Sequence, residues 1–165
     1  MVSRRLLLVT VISALIIGFD QSTKAWAIST LKDMPTTRLL GGSVLLLYAE
    51  NTGAWGSMGS GLNDSLRFWL LTVLPFFFLA GLAWYTITSH ELKTYMVACY
   101  ALVIAGGVGN LIDRAVHGYV VDFVWMGIPN GIGTNIFNVA DVSIMLGVII
   151  LIVAHFTIER KLPVS

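Results

Sequence analysis

Charged side chains are scarce in this chain. They make up 12% of its 165 residues, against 56% hydrophobic residues, whereas a soluble domain carries about 25% charge. The uncharged stretches are too long for strands or ordinary core helices, which excludes a soluble globular domain. The few charges nearly balance, at a net +1, so nothing directs the chain to nucleic acid or to a strongly acidic partner. Cysteine is almost absent. Cys99 stands alone in an apolar run, which excludes an internal disulfide and reads as a small buried residue. The three histidines, His90, His117 and His155, are scattered and form no HExxH pattern, which argues against a zinc protease. No Ser or Cys occupies a recognisable nucleophile setting, so acyl-enzyme chemistry has little support. There is no internal repeat and no low-complexity tail.

What is present is apolar length. Crossing the hydrocarbon takes about 20 helical residues, and four segments qualify: roughly 6–28, 68–88, 94–112 and 141–158. The first is interrupted by Asp20 and Lys24, and the fourth is opened by Asp141. Pro75 is expected to kink the second, which membrane helices tolerate when neighbours satisfy the freed carbonyl. Ala25-Trp26-Ala27 resembles a signal-peptide cleavage site, but Asp20, Gln21 and Lys24 just before it are out of keeping with one, so retention as a first helix is expected. The chain reads as a single integral membrane domain over 1–165, with outer loops at about 29–67 and 113–140.

Four spans put both termini on one side. Arg4, Arg5, Lys93, Arg160 and Lys161 lie in short stretches on that side, and Lys24, Lys32, Arg38, Arg67 and Arg114 lie in or beside the long ones. The density of positive charge favours cytoplasmic termini, which places Asp122 and Asp141 at the outer face. Within the first outer loop, 43–48 reads as a short strand after Gly41-Gly42. Asn51-Thr52-Gly53 and 56–61 are turn-rich, and Trp55 and Met58 suggest a small platform lying on the membrane. The second outer loop reads as a glycine-rich flap or an inert connector.

Asp122 and Asp141 stand at the ends of spanning segments. A carboxylate at the edge of hydrocarbon costs about 2.5–3.5 kcal/mol on insertion scales, which marks it as a functional candidate. Two carboxylates in close approach share a proton, because both cannot ionise together cheaply. The ionised member then takes a proton from water, and the protonated member polarises a carbonyl and protonates a leaving amine. The rival reading is that each aspartate caps a helix or snorkels to the interface, Asp141 being well placed as a first-turn acid. Gly106-Gly107-Val108-Gly109 allows close helix approach. Asn110 and Arg114 share a helix face, and Arg114 has Asp113 or a carboxylate across the bundle as possible partners. Asp20 and Lys24 stand i, i+4 and can neutralise each other, while Asn51 forms a turn or presents its amide to substrate.

Five motifs occur in order: Asp20-Gln21-x-x-Lys24, Asn51-Thr52-Gly53-Ala54, Gly109-Asn110-Leu111-Ile112-Asp113-Arg114, Val120-Val121-Asp122-Phe123 and Phe137-Asn138-Val139-Ala140-Asp141. With these, the chain resembles lipoprotein signal peptidase (signal peptidase II), a family of bacterial inner-membrane aspartyl proteases. The resemblance implies an all-α membrane protein of four transmembrane helices with a small β-containing periplasmic platform. It implies removal of signal peptides from prolipoproteins, with the cut just before a cysteine that already bears diacylglycerol. It assigns Asp122 and Asp141 as the catalytic pair, with Asn110, Arg114 and Asn138 in support and Asp20, Lys24, Asn51 and Gly53 lining or stabilising the site. It implies no cofactor or metal, contact with membrane lipid, Gly53-Ala54-Trp55 near the lipidated substrate, and block by a cyclic lipopeptide inhibitor. The stretch 127–134 receives no assignment. Two other classes compete: a proton-coupled transporter, which needs carboxylates at several depths, and an assembly subunit whose polar residues serve helix contacts.

Overall fold

The apolar segments fold into four helices long enough to cross a membrane. The computed structural model describes residues 2–54, 58, 59, 61–129 and 131–158. Trp55, the 56–57 and Ser60 parts of the turn-rich stretch, Asn130, Arg160 and Lys161 lie outside the described residues. Helix α1 runs Val2–Leu31, α2 Asp64–Phe68, α3 Leu74–Thr88, α4 Thr94–His117 and α5 Val139–Ile158. A π-turn, Trp69–Val73, joins α2 to α3, so Asp64–Thr88 is one continuous helical span. Each span extends past its purely apolar run. At 1.5 Å per residue the 30 residues of α1 reach about 45 Å, well beyond a hydrocarbon core of about 30 Å. Most large apolar side chains on these helices face outward, among them Leu7, Leu15, Phe77, Trp84 and Ile152. That surface suits lipid.

Pro75 does not break its helix. It lacks the N–H that would serve the carbonyl of Leu71, and Leu71 lies within the π-turn, where the ladder shifts to i→i+5. The helix absorbs the proline by changing its hydrogen-bond period. α4 is the central element and packs on α1, α3 and α5. Its glycines permit this: a Cβ at Gly107 would lie 2.6 Å from Leu79, and one at Gly109 would lie 2.6 Å from Asp20 Oδ2. α4 continues past residue 112 through Asp113 and Arg114 and ends at Gly118, whose φ of 79° places it in the left-handed region and whose N–H donates to the Arg114 carbonyl. At the far end, Arg5 donates to the carbonyl of Leu92 at 2.7 Å, tying α1 to the α3–α4 connector. Val9, Leu92, Val97 and Ala101 form the core there.

The outer segments build a three-stranded antiparallel sheet in the order β1-β2-β3, with β1 Thr37–Leu39, β2 Val44–Asn51 and β3 Val120–Met126. The strand expected over 43–48 is present and longer. β3 lies where a flap or connector was expected. Its run Val120-Val121-Asp122-Phe123-Val124-Trp125 is β-branched and aromatic, as a strand requires. Val121 and Phe123 pack with Ala27 and Leu31, so one face of β3 rests on the outer end of α1. The described residues on either side of Asn130 in the unassigned stretch fold back against each other and against β3. Gly127 bridges Gly133, Val124 bridges Phe137, and Thr134 N donates to the Met126 carbonyl at 2.7 Å. Side chains are barred at the two bridging glycines, where a Cβ would strike the Trp125 ring.

Candidate active site

Strand alternation sets the first carboxylate. With Val121 and Phe123 turned to α1, Asp122 faces the opposite side, opposite Ala49 of β2 and toward α4 and α5. It therefore lies on a strand of the outer sheet and not at the end of a spanning helix, which corrects the sequence expectation. It is 3% exposed. Asn51 Nδ2 donates to its Oδ2 at 3.0 Å, and Asn138 Nδ2 donates to its Oδ1 at 2.7 Å. Burial pushes the Asp122 carboxyl up to about 6; the nearby Asp141 charge adds to the rise, and the two amide donors oppose it.

Helix capping sets the second. Asp141 N donates to Asn138 Oδ1 at 3.0 Å, and Asn138 N donates back to Asp141 Oδ2 at 3.2 Å. This reciprocal pair is a capping box at the start of α5. The remaining oxygen, Oδ1, accepts from Asn110 Nδ2 at 2.9 Å. Asp141 is thus the first-turn acid of α5, and the asparagine that caps the helix also bonds Asp122. The amide of Asn138 caps Asp141 through its oxygen and holds Asp122 through its nitrogen. The chain returns from β3 to the start of α5, which brings Asn138 against Asp122.

Beneath the pair lies a buried ionic network. Lys24 Nζ stands 2.9 Å from Asp20 Oδ2 and 2.9 Å from Asp113 Oδ2, and donates to Asn110 Oδ1 at 3.0 Å. Lys24 is 2%, Asp20 0% and Asp113 2% exposed, so neither carboxylate is left without a counter-charge. Asp20 Oδ1 accepts from Ala140 N at 2.9 Å, and Asp113 Oδ2 accepts from Val121 N at 3.0 Å. The network thus grips the backbone beside each aspartate: Ala140 precedes Asp141, and Val121 precedes Asp122.

Asn51 turns the chain through its own oxygen, which accepts from Gly53 N at 3.0 Å, and its amide faces Asp122. Arg114 does not pair with Asp113. It donates to the Gly53 carbonyl at 2.9 Å, because Asp113 is already committed to Lys24 on the other side of α4. Every sequence-selected residue, Asp20, Lys24, Asn51, Gly53, Asn110, Arg114, Asp122, Asn138 and Asp141, belongs to this one connected cluster. Two members were passed over as site residues. Gln21 donates to Asp113 Oδ1 at 3.0 Å, and Asp113 joins α1, α4 and β3. Gln21 and Lys24 stand i, i+3 on α1, and Asn110 and Asp113 stand i, i+3 on α4; this shared helix face was the available signal. Among the described residues no group of three or more His, Cys, Asp or Glu is arranged to hold a metal ion.

A family model for signal peptidase (SPase) II matches residues 12–157, which contain the whole cluster. A lipoprotein signal peptidase of Chlorobium phaeobacteroides is 33% identical over 154 residues, covering 89% of each chain. One of Streptococcus pneumoniae is 36% identical over 147 residues, covering 89% of this chain and 91% of the other. A solved bacterial membrane enzyme has the same fold, with a TM-score of 0.78 at 28% identity over 95% of this chain and 94% of that one. Likeness of sequence and of fold both run the length of the bundle and through the cluster, and the chain belongs to the signal peptidase II family, a membrane-embedded aspartic protease of lipoprotein processing.

Proposed function

We propose that the protein removes signal peptides from diacylglyceryl-modified prolipoproteins, cutting immediately before the lipidated cysteine, with Asp122 and Asp141 activating water. The observation that carries this reading is that one residue, Asn138, donates to both carboxyl groups at the edge of a membrane bundle, to Asp122 through its side-chain Nδ2 and to Asp141 through its backbone N–H. The pair shares one proton. The ionised oxygen takes a proton from a water molecule, whose oxygen attacks the scissile carbonyl while the protonated carboxyl hydrogen-bonds the carbonyl oxygen. Collapse of the tetrahedral species returns a proton to the leaving amine, the nitrogen of the lipidated cysteine. No covalent intermediate and no cofactor is needed.

The supporting residues divide the work. Asn110 and Asn138 direct amide donors at the pair, Asn51 holds the outer oxygen of Asp122, and Arg114 positions the Asn51–Gly53 turn through the Gly53 carbonyl. Asp20, Lys24 and Asp113 anchor the backbone on which both carboxyls ride. We place the enzyme in the bacterial inner membrane, termini in the cytoplasm, with the pair at the periplasmic face, where water is at hand and the substrate's lipid arrives sideways from the bilayer. A cyclic lipopeptide that occupies the pair would compete with substrate.

The test is incubation of the purified protein with a diacylglyceryl-modified precursor and with its unlipidated twin. The lipidated form alone is cut. Asp122→Asn and Asp141→Asn each lower kcat by about 10²–10⁴-fold, the range for losing one proton-transfer group, with the fold intact. Undiminished cleavage in either variant, or equal cleavage of the twin, overturns the proposal. Proton flux into vesicles driven by a solute would favour the transporter reading instead.

A further inference from the structure

Strand β2 does not pair with β3 in a single register. Val44, Leu45 and Leu46 stand opposite Met126, Trp125 and Val124, whereas Ala49, Glu50 and Asn51 stand opposite Asp122, Val121 and Val120. From Leu46 to Ala49 is three steps along β2, while from Val124 to Asp122 is two along β3. One surplus residue, at Leu47–Tyr48, therefore bulges out of the ladder. Side chains alternate along a strand, so one extra residue exchanges the faces of all that follow. Continued without the bulge, the first register would set Glu50 opposite Val120 and Asn51 opposite Tyr119. Glu50 would then share the face of Asp122, and Asn51 would turn to the α1 side. The bulge reverses this. It leaves Glu50 on the α1 side with Val121 and puts Asn51 on the face of Asp122, to which its amide donates at 3.0 Å. Bulges recur next to active sites, where they re-aim a side chain.

We propose that Tyr48 is a positioning residue: it fastens the α1 side of the sheet in the bulged register, and so keeps the Asn51 amide turned to Asp122. Its bearing on catalysis rests on the reading of Asp122 and Asp141 given above. The Tyr48 hydroxyl donates to Glu50 Oε1 at 2.9 Å and meets the Tyr119 hydroxyl at 3.3 Å. Tyr119 leads into β3, so this contact ties the two strands together. Lys32, just past the end of α1, has its Nζ 3.4 Å from Glu50 Oε1 and 5.3 Å from the centre of the Tyr48 ring. Tyr48 also packs on the core of Ala27, Leu31, Val121 and Phe123. All these contacts need Tyr48 and Glu50 on the α1 side, which the bulged register provides and the continuous one does not. The continuous register would also misplace a charge. The bond from Tyr48, with Lys32 nearby, holds the Glu50 carboxyl below the usual carboxylate range. Turned inward, that carboxylate would stand with the buried pair, where like charges repel. Tyr48 itself lies across the sheet from the pair and acts through Asn51.

Tyr48→Phe keeps the ring and removes the hydroxyl. It lowers kcat about tenfold and leaves KM within about twofold, a coupling inside the range for residues of one hydrogen-bond network. Because the effect passes through Asn51, Tyr48→Phe costs nothing further in an Asn51→Ala background. Normal kcat in Tyr48→Phe, or an equal loss in both backgrounds, overturns the proposal. The register is read without catalysis, by oxidative cross-linking of Asn51→Cys to Val120→Cys in a Cys99→Ala chain. These two positions are opposite each other in the bulged register, at a spacing a disulfide can bridge. The cross-link forms in the presence of Tyr48, and its rate falls about tenfold with Tyr48→Phe. Deleting Leu47 removes the surplus residue and keeps 49–51 opposite 120–122 in an unbroken ladder, so Tyr48→Phe then leaves the cross-link unchanged. A cross-link indifferent to Tyr48 while Leu47 is present, or equally slowed once Leu47 is deleted, overturns the proposal. A protein that cuts no precursor yet shows this dependence on Tyr48 sinks the catalytic reading and leaves the positioning of Asn51 standing.

Discussion

Asn138 carries more of this site than its size suggests. It caps α5 through its oxygen and holds Asp122 through its nitrogen, so two substitutions separate the roles. Asn138→Ser keeps a capping oxygen and removes the long amide arm; Asn138→Ala removes both. Both lose the buried bonds of the amide nitrogen to Asp122, Asn110 and the Val121 carbonyl, a cost of about 1–3 kcal/mol, and Asn138→Ala is expected to lose about 1 kcal/mol more than Asn138→Ser, since Ser and Asn cap equally well. Both lower kcat by about 10²-fold or more. Thermal unfolding in detergent and cleavage of a lipidated precursor read the two effects, and normal kcat in Asn138→Ser would remove the amide from the mechanism. Asp122 adds a pH signature. Its folded carboxyl sits at about 6 against an ordinary 3.8, so the native state keeps a proton that the unfolded chain releases. Stability from this group is present below about pH 4 and is lost as pH rises toward 6. Tm of the parent should fall across that window relative to Asp122→Asn, which has no carboxyl to titrate there. A parent whose Tm rises relative to the variant through pH 4–6 contradicts the assignment. The cost of charge in an apolar chain was enough to single out Asp122 and Asp141. That one asparagine bonds both was not legible, because the contact depends on how a strand and a helix start are brought together.

The helices were legible because crossing hydrocarbon demands unbroken apolar length. Their ends were less so. α4 runs through Asp113 and Arg114, residues that read as a helix boundary until Lys24 and the Gly53 carbonyl are seen to satisfy them. β3 was hidden by its glycine-rich neighbours, although its own residues are good strand formers, and its pairing with β2 joins segments far apart in sequence. The Lys24 network is the joint between these elements. Removing its one cation while leaving both carboxylates buried should be worse than removing all three charges. Lys24→Met is expected to lose about 3–5 kcal/mol, the scale for breaking a buried pair. The triple variant Asp20→Asn, Lys24→Met, Asp113→Asn recovers part of that loss, because no uncompensated charge remains. Thermal unfolding in detergent decides the order, and a triple variant less stable than Lys24→Met would show that the carboxylates act through their backbone bonds to Ala140 and Val121 more than through charge.

The bundle is closed at one end and open at the other. At the end holding the α3–α4 connector, Arg5 is fastened to the Leu92 carbonyl and an apolar core fills the space between α1 and α4. At the other end the helices part around a polar cluster roofed by the sheet. The proposed reaction needs this asymmetry, since water and a lipidated substrate would meet at one face while the other stays sealed. The positive charges at the closed end, Arg4, Arg5 and Lys93, predict that it faces the cytoplasm. Cysteine labelling tests this directly, because the native Cys99 is only 3% exposed and should contribute little background. Glu91→Cys marks the connector between α3 and α4, and Thr36→Cys marks the stretch before β1; both positions are exposed. A membrane-impermeant maleimide added to spheroplasts should label Thr36→Cys at once and Glu91→Cys only after the membrane is opened. The reverse pattern would put Asp122 and Asp141 on the cytoplasmic side and overturn the proposed topology.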